Sequence, residues 1–120
     1  MLTILKIVPL SGKRDAVLGV LRSIESLLSG RAGCMDCAVF EQSGNEKAIL
    51  YLDQWRTPED LRLHIQSNLF HRLLLAMELG SRAPELSFYE VSDTRGLSWI
   101  QELRMKKIDL DEEHGLFRQR

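Results

Sequence analysis

His64 is the residue whose type and setting point most directly to chemistry. It stands in Leu61-Arg62-Leu63-His64-Ile65, where helical spacing puts Leu61, His64, Ile65 and Asn68 on one face, with Leu63 and Gln66 elsewhere. An imidazole on a buried stripe loses hydration, which lowers its pKa, and the neutral ring can accept a proton from a phenol or hydroquinone. The competing reading is a core histidine satisfied by a backbone or carboxylate partner. Tyr51 and Trp55 project to the same side of one strand as Asp53 and can form the aromatic wall of a flat, apolar site for a polycyclic or quinone-like ligand. Ordinary core filling is the alternative for both. Asn68 can orient a substrate oxygen or make local bonds at a helix junction. Phe70 reads as core, and His71, one position off the stripe, as solvated.

Other constellations carry less. Cys34-Met35-Asp36-Cys37 has the spacing of a redox or metal pair, but the segment enters a strand, where residues three apart point to opposite faces, and a reactive thiol pair needs a helix N-terminus. Structural cysteines are expected, and no metal site. Glu41 and Glu90 lie within strands with no partner carboxylate at a spacing that marks an acid/base pair. Gly-rich phosphate loops, serine elbows and His-x-His spacings are absent, so no cofactor is expected.

The elements that must position these residues follow in order. Leu2–Val8 reads as a strand with apolar residues on both alternation sets, stopped by Pro9. Ser11 and Gly12 open a helix over about Lys13–Ser29, with Val17, Val20, Leu21, Ile24, Leu27 and Leu28 as its stripe and Gly30 as its stop. Arg31-Ala32-Gly33 is a turn into a strand Cys34–Gln42. Ser43-Gly44-Asn45-Glu46 connects it as a hairpin to Lys47–Trp55. Thr57-Pro58-Glu59-Asp60 is a helix start: a capping hydroxyl, a proline where no N–H is needed, and acids at the positive end of the dipole. Ser67 caps a second segment, Asn68–Leu79, with Phe70, Leu73, Leu74 and Met77 inward and Gly80 at its end. Pro84 precedes a strand Glu85–Val91.

The order β-α-β-β-α-β predicts an α+β ferredoxin-like domain, helices covering one face of a four-stranded antiparallel sheet. No layer remains to cover the other face, and the strands are apolar on both sides, so the pattern predicts a homodimer. Residues 1–95 form this domain. The extension, 96–120, is expected to hold a short helix around Leu97, Ile100 and Leu103 and a mixed-charge tail from Ile108 to Arg120.

Asp53-Gln54-Trp55, Thr57-Pro58-Glu59, His64, Ser67 and Phe70 together resemble the antibiotic biosynthesis monooxygenase domain of the dimeric α+β barrel group, over residues 1–91. The resemblance implies two facing sheets and small-molecule oxygen chemistry without a cofactor. A bound phenol, hydroquinone or polyketide loses a proton to His64, and the electron-rich anion reacts with O2. The candidate set is His64 as the catalytic base, with Tyr51, Trp55, Asn68 and Phe70 against the substrate. Haem-degrading relatives fit worse: the first strand has no Asn, and their iron-ligand position falls at about Leu74. A non-catalytic small-molecule-binding or assembly dimer is the alternative of a different class, and a proton-shuttling isomerase also stays open.

Composition bounds the partners. With 16 basic and 17 acidic residues there is no electrostatic footprint for nucleic acid or an anionic membrane. No apolar run reaches the roughly 20 residues of a membrane span, and the N-terminus lacks a signal-peptide pattern, so a cytoplasmic protein is expected. At 120 residues the chain can bury roughly two-thirds of its unfolded surface, enough for one core.

Overall fold

A computed structural model describes residues 1–44 and 47–113, and side chains only as far as Ile108. The elements run β1 (Leu2–Ile7), α1 (Arg14–Leu28), β2 (Cys34–Glu41), β3 (Ile49–Trp55), α2 (Pro58–Ile65), α3 (Asn68–Met77), β4 (Glu85–Tyr89) and α4 (Leu97–Glu113). The strands form one antiparallel sheet in the order β2-β3-β1-β4. That is the ferredoxin-like arrangement, with β1 and β3 central and β2 and β4 at the edges. The hairpin connection at Asn45 and Glu46 and the tail beyond Glu113 lie outside the described residues.

Strand alternation decides what the helices cover. In β3, Ile49, Tyr51, Asp53 and Trp55 are buried while Leu50, Leu52 and Gln54 are half-buried on the opposite side. Cross-strand partners share a face, so Thr3 lies opposite Asp53, Leu5 opposite Tyr51 and Ile7 opposite Ile49 on the helix side. Against them α1 lays Val17, Leu21, Ile24 and Leu28, a strict i, i+4, i+7, i+11 stripe, and α3 lays Leu69, Phe70, Leu73 and Ala76. Truncating one such fully buried leucine, Leu21 or Leu73, costs about 2–5 kcal/mol through lost transfer energy and the cavity left behind. Leu27 and Leu74 are exposed instead, because each sits at the edge of its stripe.

The punctuation differs in detail from expectation. Thr57 caps α2 by accepting the Asp60 N–H at 3.1 Å, and Ser67 caps α3 by accepting the Phe70 N–H at 3.2 Å, both as the sequence indicates. Helix α1 has no side-chain cap; a turn closed by the Lys13 N–H on the Leu10 carbonyl leads into it, with Gly12 at φ +79°. The left-handed residue after α1 is Gly33, at φ +86°, rather than Gly30. A Cβ on Gly33 would lie 2.5 Å from the Asp60 carboxyl carbon, so a side chain there would displace that carboxylate in addition to the conformational strain.

Two expectations are corrected. A register shift between Cys34 and Asp36 inserts a bulge in β2, so Cys34 pairs with Trp55 and Cys37 with Asp53, and both cysteines turn toward the helix side. Simple alternation would have separated them. The short helix expected around Leu97 is a 17-residue helix, α4, with Leu97, Trp99, Ile100, Leu103, Met105 and Ile108 all exposed. Among the described residues, no helix is long and apolar enough to cross a membrane.

Candidate functional site

The site grows from three alternate residues of β3. Asp53 is fully buried, and its carboxylate accepts two hydrogen bonds from its own strand: the Tyr51 hydroxyl at 2.7 Å and the Trp55 indole N–H at 2.8 Å. A strand places residues i, i+2 and i+4 on one face, so Tyr-x-Asp-x-Trp sets an acceptor between two aromatic donors. Buried donors need such a partner, and here each carboxylate oxygen serves one. The row continues across the sheet to Thr3 on one side and Cys37 on the other.

Helix α2 brings His64 over this row. Its ring stacks on Trp55 with centroids 4.7 Å apart and meets the Phe70 ring edge-on at 5.4 Å. Nε2 stands 3.6 Å from the Asp53 carboxylate, beyond hydrogen-bond range. His64 is 2% exposed, and neither ring nitrogen has a hydrogen-bond partner. The Thr3 hydroxyl is likewise buried and unpartnered. Burial lowers the His64 pKa, the Asp53 carboxylate opposes that shift, and Arg31 adds to it. The lowered pKa favours the neutral imidazole. Burial, reinforced by the neighbouring carboxylate, pushes the Tyr51 phenol upward, so it remains a donor. Burial also pushes the Cys37 thiol up to about 12, and raises Cys34.

Beside His64 is a cavity of about 160 Å³ lined by Arg31, Ala32, Trp55, Asp60, Leu63 and His64. A larger hollow, about 270 Å³, lies far along the chain from these groups at Pro9–Gly12, Arg14 and Lys47. Its guanidinium, on Arg14, is already engaged by Glu41 and the Lys47 carbonyl. The cavity at His64 has the unpartnered chemistry, and the other does not.

Of the expected site residues, the structure brings Tyr51, Trp55, His64 and Phe70 together. Asn68 is not with them: α2 ends at Ile65, Ser67 starts a new helix, and the restart turns Asn68 to the exposed side. Ile65 is exposed for the same reason. Sequence reasoning gave no role to Asp53, although its place between Tyr51 and Trp55 is a readable signal. It also gave none to Arg31, which carries no local signal. Among the described residues no group of three or more His, Cys, Asp or Glu side chains is arranged to hold a metal ion.

No family model matches the sequence, and no curated protein matches it. Solved structures do. Rv0793 from Mycobacterium tuberculosis superposes with a TM-score of 0.69 at 18% identity, covering 79% of this chain and 97% of that one. A candidate antibiotic biosynthesis monooxygenase from Nitrosomonas europaea gives 0.67 at 12% identity, covering 77% and 98%. A further antibiotic biosynthesis monooxygenase gives 0.66 at 14% identity, covering 78% and 100%. Sheet order and these superpositions agree: the chain has the α+β ferredoxin-like fold that these solved structures share.

Proposed function

We propose that the protein is a cofactor-independent monooxygenase of small phenols or hydroquinones, with His64 as its base. The observation that carries this reading is the neutral, buried imidazole with both nitrogens unpartnered, at the wall of a cavity. A core histidine kept only for packing satisfies its nitrogens, because an orphaned buried polar atom costs about 1–3 kcal/mol. The fold neighbours named as antibiotic biosynthesis monooxygenases supply the reaction class.

Size narrows the substrate. A cavity of about 150 Å³ holds one benzene ring, and this one is about 160 Å³. A single-ring phenol or hydroquinone fits it better than a polycycle. The substrate hydroxyl gives its proton to His64, and the electron-rich anion passes one electron to O2. The two radicals recombine at carbon, and loss of water leaves one oxygen atom on the ring. For hydroquinone the balance is hydroquinone plus O2 to hydroxyquinone plus water. Trp55 and Phe70 hold the imidazole in place, and Trp55, Ala32 and Leu63 supply the apolar part of the cavity lining against which a ring packs.

A second copy of the chain belongs to this reading. The sheet face away from the helices carries Leu2, Ile4, Leu50, Leu52, Ala38 and Phe40, the last 55% exposed. Apolar side chains gathered on one sheet face mark an interaction surface, and packing that face on itself gives an isologous dimer.

The test is O2 uptake, in chelator-treated buffer, with a panel of substituted hydroquinones and phenols. Uptake that is lost in His64→Ala supports the assignment. Ligand-induced thermal stabilisation without uptake would make the protein a binding module instead.

A further inference from the structure

We propose that Arg31 is a specificity residue of the His64 cavity and that the substrate is an aromatic acid, a single ring carrying a carboxylate as well as a phenolic hydroxyl. This rests on the reading of the cavity as a substrate site. The lining of the cavity includes the buried His64 and the solvent-exposed Arg31, a base and a cation on one wall. Arg31 makes no ion pair with any carboxylate among the described residues, yet its charge is felt at both His64 and Cys34.

The turn that carries Arg31 is fixed at several points. Its N–H donates to the Leu28 carbonyl at 3.0 Å, its carbonyl accepts from the Cys34 N–H at 3.2 Å, and the Gly33 carbonyl accepts from the Arg56 N–H at 2.9 Å. A guanidinium mounted on a clamped turn loses little backbone freedom when it takes a ligand. Asp60, the other charged group of the lining, accepts the Thr57 hydroxyl at 2.9 Å and packs against Gly33. It leaves the cation of Arg31 unmatched.

The chemistry selects the ligand. The hydroxyl that gives its proton to His64 must arrive protonated, so the anion that meets Arg31 has to be a different group. A carboxylate is ionised at neutral pH, and its two oxygens match the planar fork of a guanidinium. In a cavity sized for one ring, a carboxylate at Arg31 and a hydroxyl toward His64 fix both ends of the substrate.

The experiment is calorimetric titration of the full chain with 2,5-dihydroxybenzoate, with its methyl ester, and with hydroquinone. The wild type is expected to bind the acid about tenfold tighter than the ester, the change one charge-assisted pair gives at a solvent-exposed cation. Arg31→Gln is expected to erase that preference, Arg31→Lys to keep part of it, and Arg56→Gln, outside the cavity lining, to leave it intact. Equal affinity for acid and ester in the wild type, binding of none of the three at millimolar concentration, or a preference that survives Arg31→Gln overturns the proposal. O2 uptake on the same samples separates the two readings. A preference for the acid without uptake keeps Arg31 and removes the oxygenase, whereas uptake with hydroquinone and no preference removes Arg31 alone.

Discussion

Replacing Asp53 by alanine tests the physical core of the site. The carboxylate is fully buried and satisfies the Tyr51 hydroxyl and the Trp55 indole N–H at 2.7 and 2.8 Å. Alanine leaves both donors without it, at about 1–3 kcal/mol each, so the single substitution is expected to cost about 4 kcal/mol. That is a large part of the roughly 5–15 kcal/mol that stabilises a domain. Tyr51→Phe removes one donor together with its need for a partner, so alone it costs only about 1–2 kcal/mol. In the Tyr51→Phe background Asp53→Ala orphans only the indole, and its cost falls by about 1–3 kcal/mol. Urea unfolding of the four proteins, read by linear extrapolation, gives this coupling as a double-mutant cycle. Additive costs, or an Asp53→Ala loss below 1 kcal/mol, would show that the carboxylate does not organise the aromatic pair.

Other outcomes follow from the same geometry. Because burial lowers the folded-state pKa of His64, the unfolded chain takes up a proton first as pH falls. Stability is therefore expected to be full above about pH 6.5 and to decline below it by up to about 1.4 kcal/mol per pH unit, until the lowered folded value is passed. Thermal melts from pH 8 to 5 should show a shallower slope in His64→Gln, and identical slopes would refute the assignment. Gly33→Ala places a side chain at φ +86° against Asp60 and should cost about 1–3 kcal/mol, while Gly30→Ala, in open space, should change stability little. Cys37, with its thiol pushed up to about 12, should resist iodoacetamide at pH 8 in the folded protein and react in urea; rapid labelling of the native state, followed by mass spectrometry, would contradict its placement. Leu52→Lys on the sheet face away from the helices should halve the sedimentation mass of the proposed dimer, and an unchanged mass would exclude that face as the interface.

The parts of this molecule legible in its sequence are those with a local physical signature. Alternation alone put Ile49, Tyr51, Asp53 and Trp55 on one face, and Thr57-Pro58 and Ser67 announced two helix starts that the structure reproduces bond by bond. Periodicity failed where something interrupted it. The α2–α3 break resets the helical phase, so Asn68 leaves the face that His64 occupies. The bulge in β2 shifts the strand phase, so two cysteines three apart share a side. Helix α4 was underestimated because its apolar residues follow no single stripe: Leu97 and Ile108 lie on one flank, and Trp99 and Leu103 on another. Arg31 was invisible, since nothing in a turn's own sequence says which cavity a folded chain will bring beside it.

The central claim is that a neutral His64 drives oxygenation of a bound phenol, and isotope transfer under 18O2 tests it most directly. With 2,5-dihydroxybenzoate or hydroquinone as substrate, mass spectrometry of the product is predicted to show one 18O atom derived from the gas, formed by the wild type and not by His64→Gln. Unlabelled product, or labelled product formed equally fast by His64→Gln, would contradict it.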